Sequence, residues 1–230
     1  MKTFIRSQLD RYFGRFAKKS DIDNLYRQLS ALSEIRDLVG PKIPIGPLRG
    51  WALSPDALLT VLRDIAGRHE PRVVEFGSGE STIAIAAALR NSGAGSLVTI
   101  EHDEKFGAGI VARLNRLDLQ GYVDFRFVPL RDYDGFGGFR PFRSYDLSNE
   151  DHQFDVALID GPITDLFGDA TRSVPLKWSL SRLTGGSNIY LDDAARSGER
   201  TIARQLRESG EVILEEHIDC EKGLLRLWRE

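Results

Sequence analysis

Val73-Val74-Glu75-Phe76-Gly77-Ser78-Gly79-Glu80-Ser81-Thr82 reads as a short apolar strand running into a Gly-x-Gly turn, and the alanine-rich stretch Ile83 to Leu89 continues it as a helix. Glycine has no Cβ, so backbone at Gly77 and Gly79 can pass close to a ligand. In an α/β domain ligands sit beyond the carboxyl ends of the strands, so this strand–turn–helix predicts a nucleoside-cofactor site. The next apolar run, Ser96-Leu97-Val98-Thr99-Ile100, closes on Glu101. That is about the spacing at which such folds set an acid against ribose hydroxyls. Thr82 stands where a dinucleotide fingerprint has its third glycine.

Outward from the turn, strands and helices alternate. Strands are predicted at 72–76, 97–101, 122–128, 154–160 and 187–192, and helices near 80–90, 103–118, 174–183 and 198–209. Runs such as Val156-Ala157-Leu158-Ile159 are apolar without interruption, as in strands covered on both faces. The chain closes with Glu211 to Ile218, a short turn at Glu221-Lys222-Gly223, and Leu224 to Trp228, which predicts an antiparallel hairpin. Upstream, Ser54 and Pro55 open a helix from Asp56 to Ala66. Gly40 to Pro47 is too rich in Pro and Gly for regular structure.

The division is therefore 1–50, a helical extension with its linker, and 51–230, the α/β domain. Within the extension Ile5, Leu9, Tyr12, Phe13 and Phe16 fall on one helical face, and Ile22, Leu25, Leu29, Leu32 and Ile35 on another. Those faces predict packing on the body or on a second copy, making a homodimer; a basic amphipathic helix on a membrane surface is the other reading. The composition, 41% hydrophobic and 28% charged with net charge -3, is that of a globular chain and gives no reason to expect nucleic-acid binding. The lone Cys220 excludes an internal disulfide and a cysteine-rich zinc site. No run approaches the ~18 apolar residues of a membrane span. With no signal-peptide pattern at the N-terminus, the expected location is cytoplasmic.

Carboxylates gather at predicted strand ends: Glu75, Glu101, Asp160, and the pair Asp192-Asp193. In a parallel sheet those ends share one edge, and several acids around a Gly-x-Gly turn predict cationic or hydroxyl-bearing ligands.

Val73 to Leu89, Thr99 to Asp103, Asp155 to Pro162 and Gly185 to Asp193 resemble, in that order, the motifs of class I S-adenosylmethionine-dependent methyltransferases. The pattern is similar to bacterial small-molecule and glycan enzymes and, more distantly, to catechol-type O-methyltransferases. The resemblance implies a Rossmann-like, doubly wound, mostly parallel seven-stranded sheet with the C-terminal hairpin. It implies S-adenosylmethionine as cofactor, as do the Gly-x-Gly-x-Ser-Thr turn and Glu75. By position it places Glu75, Gly77, Ser78, Gly79 and Ser81 around the methionine part, Glu101 on the ribose, His102 beside the adenine, and Leu130, Arg131 and Asp132 over the ring. Asp160 is expected to touch both cofactor and acceptor. Asp160, Asp192 and Asp193 match the Mg²⁺ ligands of the catechol-type enzymes, a set suited to a hard cation. Asp193 stands where those enzymes have Asn, however, and Ile163 where they have a catalytic lysine. Asp160 and Asp193 are the candidate catalytic groups, with His152 a weaker candidate base.

The acceptor, a small molecule or saccharide, is expected between two insertions, Asp132 to Phe142 and Gly161 to Gly168, both rich in glycine and aromatic residues. Two rival readings are an NAD-dependent oxidoreductase and a catalytically idle cofactor-binding or assembly module.

Overall fold

The computed structural model describes residues 19–208 and 214–229. The first amphipathic face, Ile5 to Phe16, and residues 211–213 of the predicted strand lie outside them. In chain order the elements are α1 (Lys19–Val39), α2 (Pro55–Ala66), β1 (Arg72–Phe76), α3 (Glu80–Ser92), β2 (Ser96–Glu101), α4 (Glu104–Arg116), β3 (Val123–Phe127), β4 (Leu130–Tyr133) and β5 (Phe142–Tyr145). There follow β6 (Val156–Ile159), α5 (Thr164–Phe167), α6 (Ser173–Leu180), β7 (Asn188–Asp192), α7 (Ser197–Glu208), β8 (Leu214–Ile218) and β9 (Leu224–Trp228).

Seven strands form one sheet in the order β3-β2-β1-β6-β7-β9-β8. The first five are parallel, and β9 is antiparallel to both β7 and β8, so the predicted hairpin closes the sheet. The chain direction across the sheet reverses between β1 and β6. Such a switch point opens a crevice at the carboxyl edge, and the Gly-x-Gly turn sits there.

Period-two alternation divides the apolar residues between two cores. Val73, Val156, Leu158 and Tyr190 face the layer of α2 and α3, whereas Val74, Phe76, Ala157, Ile159 and Ile189 face Tyr145, Trp178 and α6. The second half of α1 belongs to the first of these cores through Ala31, Ile35 and Val39. Its first half leaves Ile22, Leu25, Tyr26 and Leu29 exposed.

Two local expectations change. The segment predicted as a loop from Asp132 begins and ends in strand: β4 and β5 pair antiparallel, Leu130 opposite Tyr145 and Tyr133 opposite Phe142. Tyr133 and Phe142 stack with centroids 5.4 Å apart, a cross-strand aromatic pair that offsets the poor strand propensity of Arg131-Asp132. The helix expected over 174–183 ends at Leu180.

Candidate active site

The Gly77 turn is set by close backbone approach. Gly77 has φ +92°, and a Cβ there would lie 2.8 Å from the Gly161 nitrogen and 2.9 Å from its Cα. The Gly161 N–H in turn donates to the Phe76 carbonyl at 2.7 Å, which ties the turn after β1 to the loop after β6. At Gly79 a Cβ would meet open space, so the turn presents bare backbone outward.

Beneath the turn, Glu75 is fully buried (0% exposed). Its carboxylate accepts from Ser81 Oγ at 2.5 Å, Thr82 Oγ1 at 2.6 Å and Thr99 Oγ1 at 3.0 Å. Thr82 Oγ1 also accepts the Gly79 N–H at 2.9 Å, so Glu75 anchors the turn and the start of α3 through its neighbours. Burial outweighs the three hydroxyls and pushes its pKa to about 7, from an ordinary 4.5. A carboxyl with a raised folded-state pKa binds its proton more tightly in the folded protein, so its contribution is fully present below pH 4.5 and is lost as pH rises through 7. Each pH unit between those two values is worth about 1.4 kcal/mol, which is measurable. Glu75→Gln should therefore gain on wild type as pH rises from 5 to 8 in thermal unfolding. Parallel curves for the two proteins would refute that assignment.

Glu101, at the end of β2, is saturated differently. One oxygen accepts the Ser78 N–H at 2.9 Å and the Ser78 hydroxyl at 2.8 Å. The other accepts the N–H groups of His102 and Asp103 at 2.7 and 2.8 Å. Burial opposes the charge, but the His102 imidazole, 3.0 Å away, and these donors outweigh it and bring the pKa to about 2. Glu101 is thus a fixed anion.

A cavity of ≈ 560 Å³ opens here. Gly77, Ser78, Gly79, Ser81, Glu101, His102 and Asp160 all line it, so most of the cofactor residues expected from sequence come together. Glu75 lies behind the wall. Leu130, Arg131 and Asp132 belong to the β4–β5 ribbon rather than to this wall. Asp132 instead borders an adjoining groove of ≈ 350 Å³ with Tyr133, Phe142 and Arg143, and Leu166 and Phe167 are shared by both hollows. The two insertions thus meet beside the cavity. His152 pairs with Glu150 at 2.8 Å and packs near Trp178, and it is not among the cavity-lining residues. Burial pushes the Cys220 thiol up to about 12, so it is an inert core thiol.

Some lining residues have no sequence signal of their own. The end of the Pro/Gly linker and the residues just after it supply Pro47, Arg49 and the 76%-exposed Trp51. This stretch is held down by the Gly46 N–H on Glu80 at 2.6 Å and by the Arg49–Glu221 ion pair. Tyr145, from β5, is fully buried, lines the cavity, and its hydroxyl has no partner among the described residues. Burial, with Glu101 nearby, raises its pKa well above 10, so it remains a hydrogen-bond donor.

Asp160, which lines the cavity, converges with Asp192 and Asp193, which do not, with one oxygen from each of the three inside 4.8 Å. Three protein cations reach this cluster; the half-exposed Arg196 lies 3.3 Å from Asp193 Oδ2, and the other two are more deeply set. Arg172, 4% exposed, lies 3.4 Å from Asp160, 3.2 Å from Asp193 and 3.8 Å from Glu199, and donates to the Asp192 carbonyl at 3.0 Å. Lys222 Nζ is 2.8 Å from Asp192 Oδ2 and 3.3 Å from Asp193 Oδ1, and donates to the Ala52 carbonyl at 3.1 Å. Burial works against both charges, but the surrounding aspartates hold both above their ordinary values. Asp160 is pushed well above the usual carboxylate range, by burial first and then by Asp192.

The donor set alone suits Mg²⁺: oxygens only, and Asp192 Oδ1 has no hydrogen-bond partner. The cation balance does not. The Arg172 guanidinium already lies against Asp160 and Asp193 and the Lys222 ammonium against Asp192 and Asp193, so a divalent ion would have to displace two paired cations and leave them beside it. With Lys222 and Arg172 in place, the cluster does not fit the metal.

A family model described as a methyltransferase domain matches residues 74–194, more than half of the chain. No curated protein matches in sequence. Among solved structures, a methyltransferase of Podospora anserina bound to SAH is similar at TM-score 0.62 and 15% identity, over 94% of this chain and 98% of that one. An O-methyltransferase from Bacillus cereus in complex with SAH gives 0.54 and 20%, over 87% and 91%. The Streptomyces achromogenes O-methyltransferase of tomaymycin synthesis, in complex with SAM, gives 0.54 and 17%, over 89% and 94%. At these identities the likeness is one of fold.

Proposed function

The chain belongs to the methyltransferase-domain family, and from that premise we propose that it transfers the methyl group of S-adenosylmethionine to an oxygen of a small-molecule or saccharide acceptor. One observation carries this reading: the Gly77–Gly79 turn, the Glu101 anion and Asp160 face a single cavity that adjoins a second, aromatic-walled groove. The structural neighbours crystallised with SAM or SAH support the cofactor.

The bound cofactor would supply an electrophilic methyl on a sulfonium, ready for in-line displacement. Glu101 would accept the ribose hydroxyls. Both of its oxygens already take two donors, and the Ser78 hydroxyl is the one that can rotate away without moving backbone. Gly77, Ser78, Gly79 and Ser81 would border the methionine part and His102 the adenine, with Tyr145 a fixed donor between. Leu130, Arg131 and Asp132 would reach the site only through the ribbon that frames the groove. There Tyr133, Phe142 and Phe167 would give an apolar wall, and Asp132 and Arg143 polar groups, to a hydroxylated acceptor. Asp160, in its ionised form, would take the acceptor's proton as its oxygen attacks, and the rise in its pKa strengthens that form as a base. Asp193, paired with Arg172, Arg196 and Lys222, would hold Asp160's surroundings rather than act as the first base. Positioning of this kind supplies much of the acceleration in such a displacement. A homodimer through the exposed α1 face is part of the same proposal.

Calorimetric titration with S-adenosylhomocysteine is the test, followed by an acceptor screen on phenols, polyols and sugars. Micromolar binding is the expected result. Absence of binding, with NADH binding in its place, would replace this reading by an oxidoreductase.

A further inference from the structure

We propose that Lys222 and Arg172 close the three-aspartate cluster in place of a divalent cation, so that this protein needs no metal and Lys222 is the positioning residue that holds Asp192 and Asp193. The inference goes beyond the proposed methyl transfer and rests on it only for the use of the site.

The geometry is specific. The turn between β8 and β9 is pressed against the loop after β7: the Ala194 and Ala195 N–H groups donate to the carbonyls of Gly223 and Lys222 at 3.1 Å each. A Cβ on Gly223 would lie 2.9 Å from the Ala195 nitrogen, so only glycine allows the turn to approach this closely. That approach delivers Nζ between one oxygen of Asp192 and one of Asp193 and onto the Ala52 carbonyl: it donates to Asp192 Oδ2 and to Ala52 and pairs with Asp193 as an ion. Asp193 itself is held at φ 58°, a left-handed conformation unusual outside glycine. Local backbone strain of this kind persists only where surrounding contacts over-determine it. Arg172 fills the opposite side, between Asp160, Asp193 and Glu199. An ammonium and a guanidinium thus lie against one oxygen of Asp160, one of Asp192 and both of Asp193, while Asp192 Oδ1 keeps no partner among the described residues.

Ion replacement makes this measurable without an acceptor. Mn²⁺ alone is titrated into the full chain and followed by electron paramagnetic resonance, for wild type, Lys222→Gln and Lys222→Arg. The expected result is only weak Mn²⁺ binding by wild type and Lys222→Arg, and binding at least about ten-fold tighter by Lys222→Gln, which removes a positive charge from the cluster but keeps much of the side chain's bulk. One Mn²⁺ held at micromolar affinity by wild type and lost in Asp192→Asn would overturn the metal-free reading. No gain in Lys222→Gln would overturn the role of Lys222. S-adenosylhomocysteine titrated into the same samples keeps the two claims apart. Its failure to bind wild type would defeat the proposed function, while the Mn²⁺ result would still decide the cluster.

Discussion

Glu101→Ala is expected to weaken S-adenosylhomocysteine binding by about 100-fold or more. Hydrogen bonds to a charged acceptor contribute roughly 1.5–3 kcal/mol each, and a ribose presents two hydroxyls to this carboxylate. The truncation also strands four donors, from Ser78, His102 and Asp103, that now converge on Glu101. Glu101→Gln keeps the shape but loses the charge and half of the acceptor capacity, and should fall between the two. Because the pKa of Glu101 is brought to about 2, the group stays ionised across the working range. Wild-type affinity should therefore be flat from pH 5 to 8 as far as Glu101 is concerned. Calorimetry on the three proteins checks both statements. Retention of affinity within a few-fold by the alanine variant would remove Glu101 from the cofactor site.

Arg172→Met should cost about 3–5 kcal/mol of stability, because breaking a buried ion network leaves uncompensated charge. Arg172 is 4% exposed and is the residue of the cluster that touches Asp160, Asp193 and Glu199 together. For a domain of this size each kcal/mol moves the midpoint by roughly 2–4 °C, so the variant should melt about 10 °C lower or not fold. Lys in its place restores one charge but not the planar fork that serves several carboxylates at once, and should recover only part of the loss. Thermal unfolding decides: a shift below about 2 °C would show that the network is not what holds this edge together.

The parts of this protein legible in the sequence are those in which local pattern and ligand chemistry coincide. The strand–turn–helix at Val73 to Leu89 reads directly because an apolar run, a glycine pair and a helix former each act within a few residues. Glu101 and Asp160 could be placed because a strand's end is visible as the end of an apolar run, and parallel strands bring such ends to one edge. Glu75 could be singled out, but not its orientation. Whether a carboxylate faces a cavity or three hydroxyls depends on Ser81, Thr82 and Thr99, which come from α3 and β2. The β4–β5 ribbon was hidden because four-residue strands with Arg and Asp inside carry almost no periodic signal, and the stacking of Tyr133 on Phe142 that stabilises it is a pairing across nine residues of chain.

The sequence by itself therefore determined the α/β class, the closing hairpin, the turn at Gly77–Gly79 and the row of acids along the carboxyl edge, because short-range propensity and the order of the strands are written locally. Only the tertiary structure decided what neutralises those acids. Lys222 lies 30 residues from Asp192, and Arg172 12 from Asp160, and nothing in either neighbourhood marks them as partners. Their meeting depends on the antiparallel register of β7 with β9 and on the packing that buries Arg172. Charge compensation in a buried site is a matter of distances of 3–4 Å in space, and the same acids would read as a metal site or a salt-bridged one until the fold brought the cations in.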